Sequence, residues 1–237
     1  MSDSPFALWR WVDTLSHINV FFEGFGYTLL ISILALSIAI IMGVFHALMA
    51  TGKFAILRWW ARVYVEFFQN TPLLINLFFL YYVLPKVPYI GITLDVFTIG
   101  VVGIGVYTGA YMSEVMRSGI QSIPKGQFEA ATSQGFNYMQ KMFYIILPQT
   151  IKIILPPATN QAVNLIKNTS VLAIIAGAEI MYNADSYAQS SLNYAPAYVI
   201  AGAFYFITCY ALAIFTRFYE EKIKKDIFNK VGGNEYH

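Results

Sequence analysis

Charged residues are scarce in this sequence. Only 12% of its 237 residues are Asp, Glu, Lys or Arg, whereas 57% are hydrophobic, and the mean hydropathy is +0.56. Soluble domains contain about 25% charged residues, so this shortage indicates a chain that lies largely in a lipid bilayer. The net charge of +2 gives no support to a nucleic acid as partner.

The sequence also lacks the patterns that common catalytic and metal sites require. Its single cysteine, Cys209, excludes an intrachain disulfide. Gly52 and Lys53 have the order found in a phosphate-binding loop, but Ala47 stands where that pattern needs its first glycine. The histidines, which have no metal-ligand spacing, are His17, His46 and His237. We therefore expect no catalytic residue, metal or cofactor in this chain.

Long apolar runs are abundant, and they predict an all-α polytopic membrane protein. A helix that crosses a bilayer needs about 20 mostly apolar residues. The runs predict five spans, at about residues 27–50, 63–84, 96–115, 151–178 and 197–217. The second qualifies only if its polar start lies at an interface or against protein, and the fourth predicts a broken or polar-lined helix inside a bundle. No repeat divides the chain, so residues 1–237 are expected to form one transmembrane domain.

The distribution of basic residues predicts the orientation of these spans. Most Lys and Arg residues, including Arg117 and Lys141, follow the first, third and fifth spans, whereas the other side receives only Arg10 and Lys86. Cytoplasmic loops are enriched in Lys and Arg. We therefore expect an N-terminus outside, a C-terminus in the cytoplasm, and a cytoplasmic loop at about residues 117–149.

The polar segment between the third and fourth spans has a helix–glycine–helix pattern. Short side chains and helix formers predict a helix over residues 127–134, and Gly135 suits the positive φ that ends a helix sharply. A second helix is predicted from Tyr138 to Leu147, and Pro148 marks the start of the next span. The two helices would form a knob on the cytoplasmic side, or else an ordinary re-entry loop.

The same segment carries a family resemblance. Glu129-Ala130-Ala131, Gly135, Ile145 and Leu147-Pro148 have the residue types and spacing of the EAA loop of bacterial ABC-importer permeases. The stretches at 26–29, 64–74, 109–127 and 165–170 are similar to one branch, the permeases for polar amino acids of the histidine, glutamine and glutamate type. Gln69 departs from this pattern, because Arg usually stands there. The resemblance implies the type I importer permease fold in a bacterial cytoplasmic membrane.

The resemblance also implies the partners of the chain. The knob would dock on a dimer of separate ATP-binding subunits, which would hold ATP and Mg, so this chain is not expected to be an enzyme. A five-span chain is too small to enclose a path, so a second permease chain, identical or merely similar, is expected. An extracytoplasmic solute-binding protein would deliver the ligand. The residues assigned to ATPase coupling are Glu129, Ala130, Ala131, Gly135, Leu147 and Pro148.

A polar stripe in the fourth span predicts a substrate path. On a helix, Gln161, Asn164 and Asn168 share one face, and Lys167 is adjacent. Polar groups at this depth are costly unless they meet protein, water or a ligand, so the stripe either packs against another helix or lines a path. In the resembling permeases for basic amino acids, acidic side chains stand at the positions of Gln161 and Asn168. Neutral amides here favour glutamine, glutamate or aspartate as substrate, with glutamine slightly preferred.

Composition and topology alone leave two other function classes open. A subunit of an ion channel also places polar residues in a span, and so does an intramembrane enzyme. Neither needs a docking segment for an ATPase. The EAA pattern therefore favours the permease of an ABC importer, which would move its substrate by alternating access.

Overall fold

Helices make up every regular element in the part of the chain that the structure describes. This part comprises residues 4–89 and 91–232 of a computed structural model. The α-helices are α1 (Leu8–Ser16), α2 (Ile18–Thr51), α3 (Ala55–Gln69), α4 (Leu73–Phe78), α5 (Val96–Gln121), α6 (Lys125–Ser133), α7 (Tyr138–Lys141), α8 (Leu147–Asn168), α9 (Ile180–Ser191) and α10 (Tyr194–Gly232). Short π-helical turns (Phe79–Val83, Met142–Ile146) and 3₁₀ turns (Leu84–Lys86, Thr169–Ile175) extend some of them. The predicted all-α class is confirmed.

Within the described residues, four helical stretches are long and apolar enough to cross a membrane. They are Ile18–Thr51, Val96–Gln121, Tyr138–Ile175 and Tyr194–Tyr219. The first begins nine residues before the expected start at residue 27, because its polar residues do not interrupt the helix. The fourth predicted span was expected to be broken or polar-lined. Its helix continues through Pro156 and Pro157, and its polar residues line a cavity.

The predicted second span, residues 63–84, is corrected by the structure. Two helical pieces, Ala55–Gln69 and Leu73–Lys86, meet at an angle of 101°, so only the bent pair together brings the number of candidate spans to five. Pro72 precedes the first residue of α4 in an extended conformation. Proline lacks an N–H and disfavours helical geometry in the residue before it, so the chain leaves the helix at this point.

The centre of the bundle is formed by α2 and α5, which pack along much of their length. A Cβ atom on Gly105 would lie only 2.8 Å from the Cβ of Ile38, and one on Gly109 would lie 2.8 Å from the Cβ of Met42. These glycines thus allow the two helices to approach closely. Buried aliphatic side chains from α2, α4, α5, α8 and the 3₁₀ turn complete this core.

Polar contacts fasten α1, which was not predicted, to the turn between α9 and α10. Arg10 donates to the carbonyl oxygen of Leu192 (2.6 Å) and to Oδ1 of Asn193 (3.0 Å). Asp13 accepts from the hydroxyl of Tyr187 (2.9 Å) and from Nδ2 of Asn193 (2.7 Å). These bonds join residues more than 170 positions apart in sequence.

A buried carboxylate begins α9, another helix that was not predicted. Glu179 has no exposed surface and accepts from the backbone N–H groups of Met181 and Tyr182, both at 2.8 Å. Its other donor is the hydroxyl of Tyr205 on α10, at 2.7 Å. Burial raises the pKa of the Glu179 carboxyl above its ordinary value, although these hydrogen bonds act in the opposite direction.

Candidate functional site

The polar segment after α5 forms the helix–glycine–helix unit that its sequence predicts. The backbone N–H of Gly135 donates to the carbonyl oxygen of Thr132 (2.9 Å), and that of Phe136 donates to Ala131 (3.1 Å). This is the Schellman arrangement that ends a helix, and it requires a left-handed residue. Gly135 supplies it with a φ of +80°.

The second helix of the unit starts with a reciprocal cap. Oδ1 of Asn137 accepts from the N–H of Gln140, and the Gln140 side chain accepts from the N–H of Asn137, both at 2.9 Å. Lys141 joins the two short helices by donating to Oγ1 of Thr132 at 3.0 Å. A small apolar cluster, consisting of Ile123, Met142 and Ile146 with Phe128, Ile145 and Leu147 around them, fills the space between them. We call residues 125–148 the coupling segment.

The residues assigned to ATPase coupling divide into two groups in this segment. Glu129, Ala130, Gly135 and Pro148 are exposed, so they are available to a partner. Ala131 is only 2% exposed, and Leu147 packs against the apolar cluster. Ala131 and Leu147 therefore contribute to the packing inside the segment, whereas the four exposed residues form part of its surface.

Sequence reasoning missed an apolar surface on the same segment. Tyr138, Met139, Phe143 and Tyr144 are all more than half exposed, and Tyr144 is 72% exposed. Three of them, Met139, Phe143 and Tyr144, line a shallow depression of about 400 Å³ together with Gln140. The only signal in the sequence is the concentration of large apolar residues in an otherwise polar stretch. Exposed apolar patches of this kind mark interaction surfaces.

The polar stripe of α8 lines a cavity of about 380 Å³ between α5 and α8. All the residues assigned to the substrate path meet there, together with side chains from α5 that were not predicted. The lining residues are Tyr107, Thr108, Tyr111, Gln161, Asn164, Lys167 and Asn168. We call this space the stripe cavity.

The stripe cavity offers hydroxyl and amide groups and one cation. The hydroxyls of Tyr107 and Tyr111 lie 3.1 Å apart. Thr108 is 2% exposed, and within the described residues its Oγ1 atom has no hydrogen-bond partner. The ammonium of Lys167 is available at the edge, since this residue is exposed. Among the described residues that line the cavity, none is acidic.

Metal binding has no support in the described part of the chain. No three side chains of His, Cys, Asp or Glu lie there in an arrangement that could hold a metal ion. The groups that line the stripe cavity are able to form hydrogen bonds and, at Lys167, to pair with a negative charge.

Comparison with known proteins identifies the family. Residues 36–225 match the family described as "Binding-protein-dependent transport system inner membrane component". The "Probable glutamine ABC transporter permease protein GlnM" of Bacillus subtilis is 42% identical over 209 residues, which cover 88% of this chain and 95% of the relative. The "Probable amino-acid ABC transporter permease protein YckA" of the same organism is 38% identical over 200 residues, covering 84% and 87%.

A solved structure agrees with these relatives. The protein described as "Crystal structure of an amino acid ABC transporter with histidines" superposes with a TM-score of 0.84 at 30% identity, and the match covers 94% of this chain and 100% of that one. The family supplies the permease of a transporter rather than an enzyme. The chain therefore belongs to the family of inner membrane components of binding-protein-dependent transport systems, and its relatives within that family are amino-acid ABC transporter permeases.

Proposed function

We propose that this permease conducts a zwitterionic amino acid with an amide or acidic side chain, with glutamine favoured over glutamate and aspartate. The stripe cavity carries this proposal, because its lining combines two asparagines, a glutamine and a lysine without an acidic residue. The name of the 42% identical relative, a probable glutamine permease, supports the same choice.

The lining suits an amide better than a cationic side chain. Gln161 and Asn164 can each donate and accept hydrogen bonds, as the amide of glutamine requires. Lys167 offers a positive charge to a carboxylate, and the unpartnered hydroxyl of Thr108 offers a further contact. A bound arginine or lysine would bring a charge into this cavity without a countercharge, and burying an unpaired charge is costly.

Coupling to ATP is assigned to the coupling segment. Its exposed residues, Glu129 and Ala130, and the apolar surface around Phe143 and Tyr144 would dock on the ATP-binding subunits. Closure of those subunits would draw together the coupling segments of two permease chains, identical or similar. The stripe cavity would thereby open in turn to the solute-binding protein and to the cytoplasm.

Uptake by the complete transporter in proteoliposomes tests the substrate assignment. We expect glutamine to be taken up in preference to arginine, and we expect Gln161→Ala and Asn168→Ala to reduce glutamine uptake while basal ATP hydrolysis is maintained. Asn160→Ala is the matched control, because Asn160 is exposed and is not part of the cavity lining. Preferred uptake of arginine would refute the substrate class, and unaltered uptake in both variants would make the stripe a packing surface.

Thiol labelling tests the orientation that this mechanism needs. In a Cys209→Ala background, a cysteine introduced by Gln134→Cys should react with a membrane-impermeant reagent only after the cells are permeabilised. One introduced by Ser186→Cys on α9 should react in intact cells. Both positions are exposed on the surface of the chain. The reverse labelling pattern would overturn the proposed orientation.

A further inference from the structure

A second polar cleft lies at the end of the bundle that carries the coupling segment. It has a volume of about 630 Å³ and separates α3 from the last turns of α5. The charged and amide side chains in its lining are Arg58, Arg62, Glu66, Gln69, Glu114, Arg117 and Gln121. In a chain with only 12% charged residues, this concentration of charge is unusual. We call this space the charged cleft.

The α5 wall of the charged cleft is already paired. The guanidinium of Arg117 forms an ion pair with Glu114, with Nε 2.9 Å from Oε2, and it also donates to Oε1 of Gln121 at 2.5 Å. On the α3 wall, Arg58 is occupied as well, because it donates to the carbonyl oxygens of Gly52 (3.0 Å) and Lys53 (2.8 Å).

Two other charges on the α3 wall are not paired with each other. Arg62 and Glu66 are one helical turn apart, a spacing at which such side chains can meet. Within the described residues, no carboxylate lies at ion-pair distance from Arg62. Glu66 accepts through Oε2 only from the neighbouring Asn70, at 3.2 Å. Among the described residues, the α3 wall thus presents Arg62 without a carboxylate partner and Glu66 without a cationic one, both exposed and about one turn apart.

The charged cleft follows the stripe cavity along α5. Tyr107 and Tyr111 line the stripe cavity, and Glu114 and Gln121 line the cleft. These residues stand at i, i+4, i+7 and i+14, so they share one face of the helix. Less than one helical turn separates Tyr111 from Glu114. A molecule that leaves the stripe cavity along this face therefore enters the charged cleft.

We propose that the charged cleft is a transient binding site for a zwitterionic amino acid, in which Arg62 receives the α-carboxylate and Glu66 the α-ammonium group. This site rests on the proposed function, because it takes the same class of substrate after the substrate leaves the stripe cavity. Ion pairs between exposed groups are weak. Weak pairing suits a binding site from which the substrate must dissociate toward the cytoplasm.

The charge pattern argues against an anionic phospholipid headgroup as the occupant. Basic pockets near the inner surface of a membrane do attract anionic lipids, and Trp59 also lines the cleft. Glu66, however, would repel a phosphate, whereas Glu114 is already paired with Arg117. A zwitterion meets opposite charges at both of its ends, so it uses the carboxylate that a lipid phosphate would avoid.

Protection of a cysteine from labelling tests this site. The reporter is Gln69→Cys in a Cys209→Ala background, within the complete transporter in nanodiscs without nucleotide. We expect glutamine to slow the reaction of the thiol with a neutral maleimide. N-acetylglutamine lacks the α-ammonium group, and glutamine amide lacks the α-carboxylate. Each of them should therefore protect the thiol much less than glutamine does.

Two variants locate the interaction within the cleft. Arg62→Gln and Glu66→Gln should each raise the half-protecting glutamine concentration by about threefold, as expected for the loss of one exposed ion pair. Asn160→Ala should leave protection intact, because Asn160 is exposed and lines neither the stripe cavity nor the charged cleft. If the substrate proposal is wrong, the uptake assay shows it. If only the assignment of the charged cleft is wrong, glutamine uptake is as expected and only the labelling result differs.

Three results would overturn the inference. One is the absence of protection in the parent transporter at any glutamine concentration. Another is protection that persists equally in both variants or does not need both charges of the amino acid. The third is labelling that responds to phosphatidylglycerol in the nanodisc and not to glutamine, which would assign the cleft to an anionic lipid.

Discussion

The two ends of the molecule are stabilised in different ways. At the end that carries α9, hydrogen bonds join parts of the chain that are far apart in sequence: Arg10 to Asn193, Ile180 to Thr28, and Tyr205 to Glu179. In the coupling segment, the bonds are local, and that between Lys141 and Thr132 spans only nine positions. The first end therefore depends on the assembled bundle, whereas the coupling segment is held together mainly by contacts within itself.

The largest expected effect is on the assembled end, at Gly24. A Cβ atom there would lie 2.8 Å from the Cα of Ile180 and 2.9 Å from Nδ2 of Asn183. Because the nearest atom belongs to the backbone, α9 must shift, and we expect Gly24→Ala to lower the free energy of unfolding by about 3 kcal/mol.

Gly26→Ala is the matched control for this substitution. Gly26 lies on the same helix, and a Cβ there meets no atom within 4 Å. Replacing this helical glycine should therefore stabilise the protein, by about 0.5–1 kcal/mol. Thermal unfolding of both variants in detergent measures the difference, and equal melting temperatures would show that α2 and α9 are not held rigidly together.

The next effect in size concerns Glu179. Glu179→Ala removes the acceptor for two N–H groups of α9 and for the hydroxyl of Tyr205. Buried donors left without a partner and a lost helix cap should together cost about 2 kcal/mol. Asp185→Ala is a suitable comparison, because Asp185 also accepts from a tyrosine, Tyr198, but at an exposed site. If Glu179→Ala lowers the melting temperature no more than Asp185→Ala does, the role of the buried carboxylate is contradicted.

A smaller effect on stability, with a larger one on transport, is expected at Gly135. Valine at a φ of +80° should be strained by about 1–2 kcal/mol, and the strain should reorient α6 relative to α7. We expect Gly135→Val to leave the melting temperature of the bundle almost unaltered and to abolish ATP-coupled uptake. Asparagine tolerates left-handed geometry, so Gly135→Asn should retain most uptake.

Gly126→Val separates the backbone effect from simple bulk. Gly126 lies in the same segment, has open space around it, and does not have a positive φ. We expect this variant to couple normally. If it loses uptake to the same extent as Gly135→Val, bulk on the docking surface rather than the turn is the cause.

The smallest expected effect is a dependence on pH. Burial raises the pKa of Glu179 above its ordinary value of 4.5, so the folded chain holds this proton at a higher pH than the unfolded chain. The stability linked to protonation is therefore fully present below the ordinary pKa and is lost as the pH rises through the raised pKa. Glu179→Gln cannot titrate. The melting temperature of the parent protein relative to Glu179→Gln should decline across this window, and parallel curves would disprove the raised pKa.

Local chemistry explains which features the sequence could predict. The coupling segment was predicted well because Gly135 and the residues beside it determine the ends of both short helices through neighbouring contacts. The face shared by Gln161, Asn164 and Asn168 was predicted for the same reason, since helical spacing alone places them together.

Tertiary packing explains what the sequence could not predict. The contribution of Tyr107, Thr108 and Tyr111 to the stripe cavity depends on how α5 lies against α8. The network around Glu179 joins α2, the 3₁₀ turn that begins at Thr169, α9 and α10, so no local pattern identifies it. The bend before α4 was a different case, because Thr71-Pro72 signals it locally, but the apolar run beyond it favoured a single span.

The π-helical turn at Met142–Ile146 sets the angular relation between the coupling segment and the stripe cavity. This turn lies within one helical stretch, Tyr138–Ile175, which begins in the coupling segment and reaches the stripe cavity. A π turn holds one more residue than an α turn, and one residue corresponds to about 100° of rotation about the helix axis. With α8 held in the bundle, removing a single residue from this turn would thus rotate the coupling segment by about 100° about the helix axis relative to Gln161 and Asn164. The relative rotation of the two sites therefore depends on the number of residues between them and not on the chemistry of any side chain.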